Sequence, residues 1–193
     1  MGAMKKILIG GIGNVLLGDD GVGPYVARLL DARYEFDEGV EVIDLGTPAL
    51  DLIDQLSGRD GVILIDSVNA EADPGTVILY RKADIMRQRP AVRMDPHAPA
   101  LVDALLSAEL FGVAPVDVLL VGIKAESFEP GCRLSEPVTT ALGGAIGEVL
   151  RELDRLGVDY WPRECAGEID VWWTNEGKVA GRVFEDESIS LRR

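Results

Sequence analysis

Two acids and one imidazole stand where this chain could do chemistry. Asp19 and Asp20 lie in the stretch Gly11-Ile12-Gly13-Asn14-Val15-Leu16-Leu17-Gly18-Asp19-Asp20-Gly21-Val22-Gly23, whose glycines allow tight backbone paths around two adjacent carboxylates. The pair opens a helix, so capping it and complementing its dipole is the plainer role for these acids. Asp66 ends the apolar run Val62-Ile63-Leu64-Ile65, where a charged residue leaves the buried strand for a ligand crevice or starts a turn with Ser67. His97, the only histidine, sits in Asp95-Pro96-His97-Ala98-Pro99 just ahead of a helical pattern. Alone, a loop histidine carries little information. Together, Asp20, Asp66 and His97 make an oxygen and nitrogen donor set suited to a divalent first-row metal such as nickel or zinc, with positions left open.

Other chemistries fit less well. One histidine cannot build the two-histidine zinc helix of common metalloproteases, and no Gly-x-Ser-x-Gly elbow is present. A pair of Cys132 with His97 lacks any local signature. Gly11-Ile12-Gly13 imitates a dinucleotide fingerprint, but Leu16 takes the third glycine's place and the acidic pair would repel pyrophosphate. With no Walker pattern either, nucleotide binding is the weak runner-up.

The elements that must position these residues alternate. Ile7 to Ile9 predict a strand, followed by a loop and a helix carrying Val22, Val26, Leu29 and Leu30, with Pro24 in its first turn. Val40 to Ile43 predict a second strand, and Thr47-Pro48 a start for a helix with Leu50, Ile53 and Leu56. The continuous run Val62 to Ile65 suits a central parallel strand covered on both faces. After the turn at Pro74-Gly75, Thr76 to Tyr80 are expected to return antiparallel as a hairpin edge. A helix with Leu101, Leu105 and Ala108, a strand at Val116 to Val121 and a long helix follow. The long helix has an apolar face of Val138, Leu142, Ile146, Val149, Leu153 and Leu156, with Glu148, Arg151, Glu152 and Arg155 between. The expectation is a three-layer α/β/α fold around a mostly parallel twisted sheet of about five strands, with one antiparallel edge strand.

In strand-led α/β folds ligands gather at the carboxyl ends of the strands, which is where Asp20 and Asp66 fall. Residues 1–157 read as the main unit and 158–193 as an extension, where Ile169 to Trp173 and Lys178 to Phe184 suit a hairpin around Asn175-Glu176-Gly177, or a partly ordered tail.

Composition narrows the partners. The 193 residues, 47% of them hydrophobic, fit one domain with a substantial core. A formal charge of -14 repels nucleic acid and suits solubility or a basic protein partner. Two cysteines, Cys132 and Cys165, make no ligand cluster or disulfide framework, and reduced cytoplasmic thiols are the default. The apolar stretch after Met1-Gly2-Ala3-Met4-Lys5-Lys6 is too short for a signal peptide, and no run nears the roughly 20 residues of a spanning helix. A cytoplasmic protein without membrane insertion is expected.

The glycine-rich stretch closely resembles the opening signature of nickel-iron hydrogenase maturation endopeptidases. The resemblance continues through Asp44-Leu45-Gly46-Thr47, Ile65-Asp66-Ser67, Pro96-His97 and Val121-Gly122-Ile123-Lys124-Ala125-Glu126-Ser127-Phe128-Glu129-Pro130, covering roughly Ile7 to Gly157. It implies that Asp20, Asp66 and His97 converge on nickel. It further implies an enzyme that acts on the precursor of the hydrogenase large subunit after nickel insertion, removing a C-terminal peptide. The nickel then belongs to the substrate and serves as a recognition element; in isolated protein another divalent metal can take its place. Leu45 and Ala49 depart from the glycines that related sequences often place there, so this loop is expected to have its own shape. Asp44, linked with function in the family, is ranked below the three ligands because a strand-end structural role explains it equally well.

The leading expectation is therefore a nickel-dependent endopeptidase in which water, activated by a carboxylate or by the metal, attacks a carbonyl near Asp20, Asp66 and His97. A metal-sensing chaperone that holds the precursor without cutting would use the same ligands, and a nucleotide-binding α/β enzyme is the third alternative.

Overall fold

The computed structural model describes residues 4–48, 51–87, 98–164, 168–173 and 178–180. Strand β1 (Ile7–Ile12) leads through a 3-10 turn (Gly18–Gly21) into helix α1 (Val22–Arg33). β2 (Tyr34–Phe36), β3 (Val40–Gly46), α2 (Leu52–Leu56), β4 (Gly61–Val68), β5 (Val77–Arg81) and α3 (Lys82–Arg87) follow. Then come α4 (Ala98–Leu110), β6 (Asp117–Lys124), α5 (Glu136–Leu156), β7 (Tyr160–Pro162), β8 (Glu168–Asp170) and β9 (Lys178–Ala180). The main sheet has the order β3-β1-β4-β6-β5, with β3, β1, β4 and β6 parallel and β5 antiparallel to β6. This is the three-layer architecture expected, including its antiparallel edge.

Successive strand residues face opposite layers, and the two cores follow that period of two. Ile7, Ile9, Ile63, Ile65, Leu119 and Val121 pack under α1 and α5. Leu8, Val62, Leu64, Val118 and Leu120 pack against Leu52 and Leu56 of α2, Ile85 of α3 and Leu101 and Leu105 of α4. The apolar stripe read along α5 is buried throughout, from Val138 to Leu156.

Two expectations change in detail. β5 does not form a hairpin with β4, because β1 and β6 already occupy both edges of β4; it pairs instead with the outer edge of β6, Tyr80 opposite Leu120. Glu152, read as part of the polar side of α5, is buried, since β5 brings Arg81 beneath it.

The second helix occupies only Leu52–Leu56; Leu50 and Ala49 lie outside the described residues. Beyond Gly157, β7 pairs antiparallel with β2, a strand that the sequence pattern did not reveal. β8 and β9 pair with Ile169 opposite Val179, while Asn175, Glu176, Gly177 and the segment from Gly181 to Phe184 lie outside the described residues. Ile169, Val171 and Trp173 join the core beneath α1 and α5, and Trp173 meets Tyr25 edge-on at 5.3 Å between ring centroids.

Candidate active site

β1 and β4 lie side by side in the middle of the sheet, and their carboxyl ends carry the loop to α1 and Asp66. The path from β1 to α1 is unusually tight. Gly13 has φ +138°, and a Cβ there would lie 1.8 Å from the carbonyl oxygen of Asp20. At Gly23 a Cβ would stand 2.1 Å from the carbonyl oxygen of Ile12 and 2.4 Å from that of Ile65. The start of α1 therefore rests directly on the ends of both strands, which brings the 3-10 turn holding Asp20 to the residue that follows Ile65.

Asp20 and Asp66 are only 3% and 6% exposed, and one residue connects them. The hydroxyl of Ser67 donates to Oδ1 of Asp20 at 3.0 Å, while its backbone N–H donates to Oδ1 of Asp66 at 2.8 Å. The N–H of Asn14 donates to the other oxygen of Asp20 at 2.9 Å. Hydrogen bonds of this kind hold buried carboxylates in place. By the strand period, Asp66 belongs with Leu64 and Val68 on the α2 and α4 side, and Ser67 with Ile63 and Ile65 on the α1 side. Ser67 thus couples two acids that approach the strand end from opposite layers.

Asp19 takes a different role from its neighbour. It is 1% exposed, and its Oδ2 accepts from the N–H groups of Glu126 and Ser127 at 2.8 and 3.1 Å and from the hydroxyl of Ser135 at 2.9 Å. Its Oδ1 accepts from the N–H of Ser135 at 2.6 Å. Ser135 is the N-cap of α5, but its side chain makes no cap bond to that helix and is directed to Asp19 instead. The acid consequently complements the positive end of a 21-residue helix and ties the Asp20 turn to the loop after β6.

Asp44 accepts from the N–H of Gly46 at 3.1 Å and pairs with Arg28 at 3.5 Å. The hydrogen bond shapes the end of β3 locally, and the ion pair ties that end to α1. Beside it, Leu45 fills the space above Gly10, where a Cβ would come within 2.5 Å of its Cδ1.

His97 lies outside the described residues, as does any pairing of it with Cys132; Cys132 itself is a free, half-buried thiol. Among the described residues no group of three His, Cys, Asp or Glu side chains is placed to hold a metal ion. Asp20 and Asp66 supply two carboxylates at one strand end, and oxygen donors of that type suit a first-row divalent cation once a nitrogen ligand joins them. Ser67 escaped the sequence reading as a site residue, although its place beside Asp66 at the end of a buried strand was the available signal. Among the described residues no helix is long and apolar enough to cross a membrane.

Comparison with known proteins adds the chemistry that geometry alone leaves open. The family model described as hydrogenase maturation protease matches residues 24–152. The hydrogenase 2 maturation protease of Escherichia coli (strain K12) is 32% identical over 164 residues, covering 83% of this chain and 98% of the relative. The hydrogenase expression/formation protein HupM of Azotobacter chroococcum mcd 1 is 37% identical over 164 residues, covering 84% of this chain and 78% of the relative. Among solved structures, the hydrogenase maturating endopeptidase HybD from Escherichia coli superposes with TM-score 0.78 at 31% identity, covering 82% of this chain and 98% of that one. The NiFe hydrogenase maturation protease HybD from Thermococcus kodakarensis gives TM-score 0.62 at 26% identity, covering 77% and 98%. A peptidase role displaces both the non-cutting chaperone and the nucleotide-binding enzyme: the chain belongs to the hydrogenase maturation protease family and is an endopeptidase of hydrogenase maturation.

Proposed function

We propose that this endopeptidase, acting in the cytoplasm, removes a C-terminal peptide from the nickel-loaded large-subunit precursor of a nickel-iron hydrogenase, and that Asp20, Asp66 and His97 read the nickel. The observation that carries the proposal is the coupling of Asp20 and Asp66 through Ser67 at the ends of β1 and β4. Two carboxylates joined through one residue at the strand ends offer oxygen donors of the kind that a first-row divalent cation takes. Asp66 belongs to the sheet face covered by α4, and His97 immediately precedes α4 in the chain. The similar Thermococcus kodakarensis protein is a maturation protease of a NiFe hydrogenase, in keeping with nickel as the metal that is read.

On this reading nickel arrives with the precursor and leaves with the product, so the protein needs no resident metal. Docking nickel on the two acids and the imidazole fixes the adjoining peptide bond at the strand ends. Water adds to the carbonyl carbon, its proton passes by way of an acceptor to the departing amine, and the C–N bond breaks. Nickel would polarise the carbonyl, and either a carboxylate oxygen not committed to the metal or the metal itself would activate the water.

The test is mass spectrometry of the precursor's C-terminus after incubation with His97→Ala or Asp66→Asn. Processing of nickel-loaded precursor is expected to fall at least about a hundredfold with the fold retained, the scale associated with losing a positioned acid, base or ligand. Normal cleavage by His97→Ala would remove that residue from the mechanism.

A further inference from the structure

A cavity of about 480 Å³ lies beside the Asp20 turn, in the size range of about 300–1,000 Å³ that binds ligands. Its walls include Gly18, Ser127, Pro130, Gly131, Leu134 and Trp173. Its two loops are joined by backbone hydrogen bonds: the N–H of Gly18 donates to Gly131 at 2.7 Å, Gly131 to Leu16 at 2.9 Å and Asp19 to Ser127 at 3.2 Å. The carboxylate of Asp19 fastens the same loops from within. Walls fixed in this way pay little ordering entropy when something binds.

We propose that this cavity is a subsite for an extended segment of the precursor polypeptide, seated next to the bond that is cut. The assignment rests on the proposed function and names where its substrate lies. Three features fit a peptide. The cavity is lined by Gly18 and Asp19, the two residues before Asp20 in the chain, so a segment bound there lies beside the turn that carries Asp20. Leu16 and Phe128, on the same two loops, stay 53% and 40% exposed and offer apolar contact. The indole N–H of Trp173 is buried at the cavity wall with no acceptor among the described residues. An extended peptide supplies both an apolar side chain for the rim and main-chain carbonyl oxygens for an unpaired donor.

The decisive variant is Gly131→Leu. A Cβ at Gly131 meets nothing within 4 Å and its φ is not positive, so the fold accepts a bulky side chain at this wall position. Trp173→Phe keeps an aromatic ring and removes only the N–H donor. Steady-state processing of nickel-loaded precursor should show KM raised about tenfold for Gly131→Leu and about fivefold for Trp173→Phe, with kcat within about twofold of the parent. Val116→Ser, on the exposed residue preceding β6 at the opposite end of that strand, should change neither. Unchanged KM in both cavity variants, or a loss confined to kcat, overturns the subsite; if Gly131→Leu melts early, Trp173→Phe decides alone. Failure of the parent enzyme to cut the loaded precursor would instead count against the proposed function.

Discussion

Replacing Asp19 by Asn tests whether the turn that carries Asp20 is held by a charge. The carboxylate accepts four hydrogen bonds, three at Oδ2 and one at Oδ1. An amide has one oxygen, and its best orientation places that oxygen where Oδ2 was, leaving the NH2 group facing the N–H of Ser135. One buried donor is then orphaned at a cost of about 1–3 kcal/mol, and the other three bonds lose their charge assistance. A total near 3 kcal/mol is expected, which for a chain of this size lowers Tm by roughly 6–12 °C. Ser135→Ala removes only the hydroxyl bond and should cost about half as much. Thermal unfolding followed by circular dichroism gives both numbers. A Tm for Asp19→Asn within about 2 °C of the parent would refute the idea that this carboxylate fastens the turn.

Two further perturbations address the scaffold. Burial pushes Glu152 up, but hydrogen bonds from Arg155 and Arg81 outweigh it and leave the carboxyl below its ordinary value of 4.5. Because the folded value is depressed, its contribution is present above the unfolded value and is lost as pH falls through the folded one. The stability advantage over Glu152→Gln, measured by urea unfolding, should thus be constant above about pH 5.5 and shrink through the acid range below 4.5; an advantage independent of pH would contradict it. Gly23→Ala forces a methyl group into the carbonyl oxygens of Ile12 and Ile65, so α1 must lift from the strands. A loss of about 3 kcal/mol together with processing activity is expected, and a stable, active variant would show that the close approach is dispensable.

Much of the architecture was legible because it follows local periods. The run Val62 to Ile65 could be read as central because it is apolar on both faces, and α5 because its apolar stripe repeats every three or four residues over 21 positions. The partner of β5 was not legible, since it is β6, which comes later in the chain and competes for the same edge. Buried Glu152 was misread for the same reason: Arg81 lies 71 residues away in sequence. At the site, the sequence marked Asp20 and Asp66 but could not separate Asp19 from Asp20. A 3-10 turn advances about a third of a revolution per residue, so adjacent acids face different surroundings. The donors that claim Asp19 come from residues more than 100 positions away. Ser67 bonds Asp20 across 47 positions, a contact that only the folded sheet creates.

On the proposed function, nickel in the precursor is what the two coupled acids and His97 recognise. Incubating the purified enzyme with precursor prepared with and without nickel, and weighing the product by intact-protein mass spectrometry, tests it most directly. Only the nickel-loaded form should be shortened at its C-terminus; equal cutting of both forms would remove nickel as the recognition element.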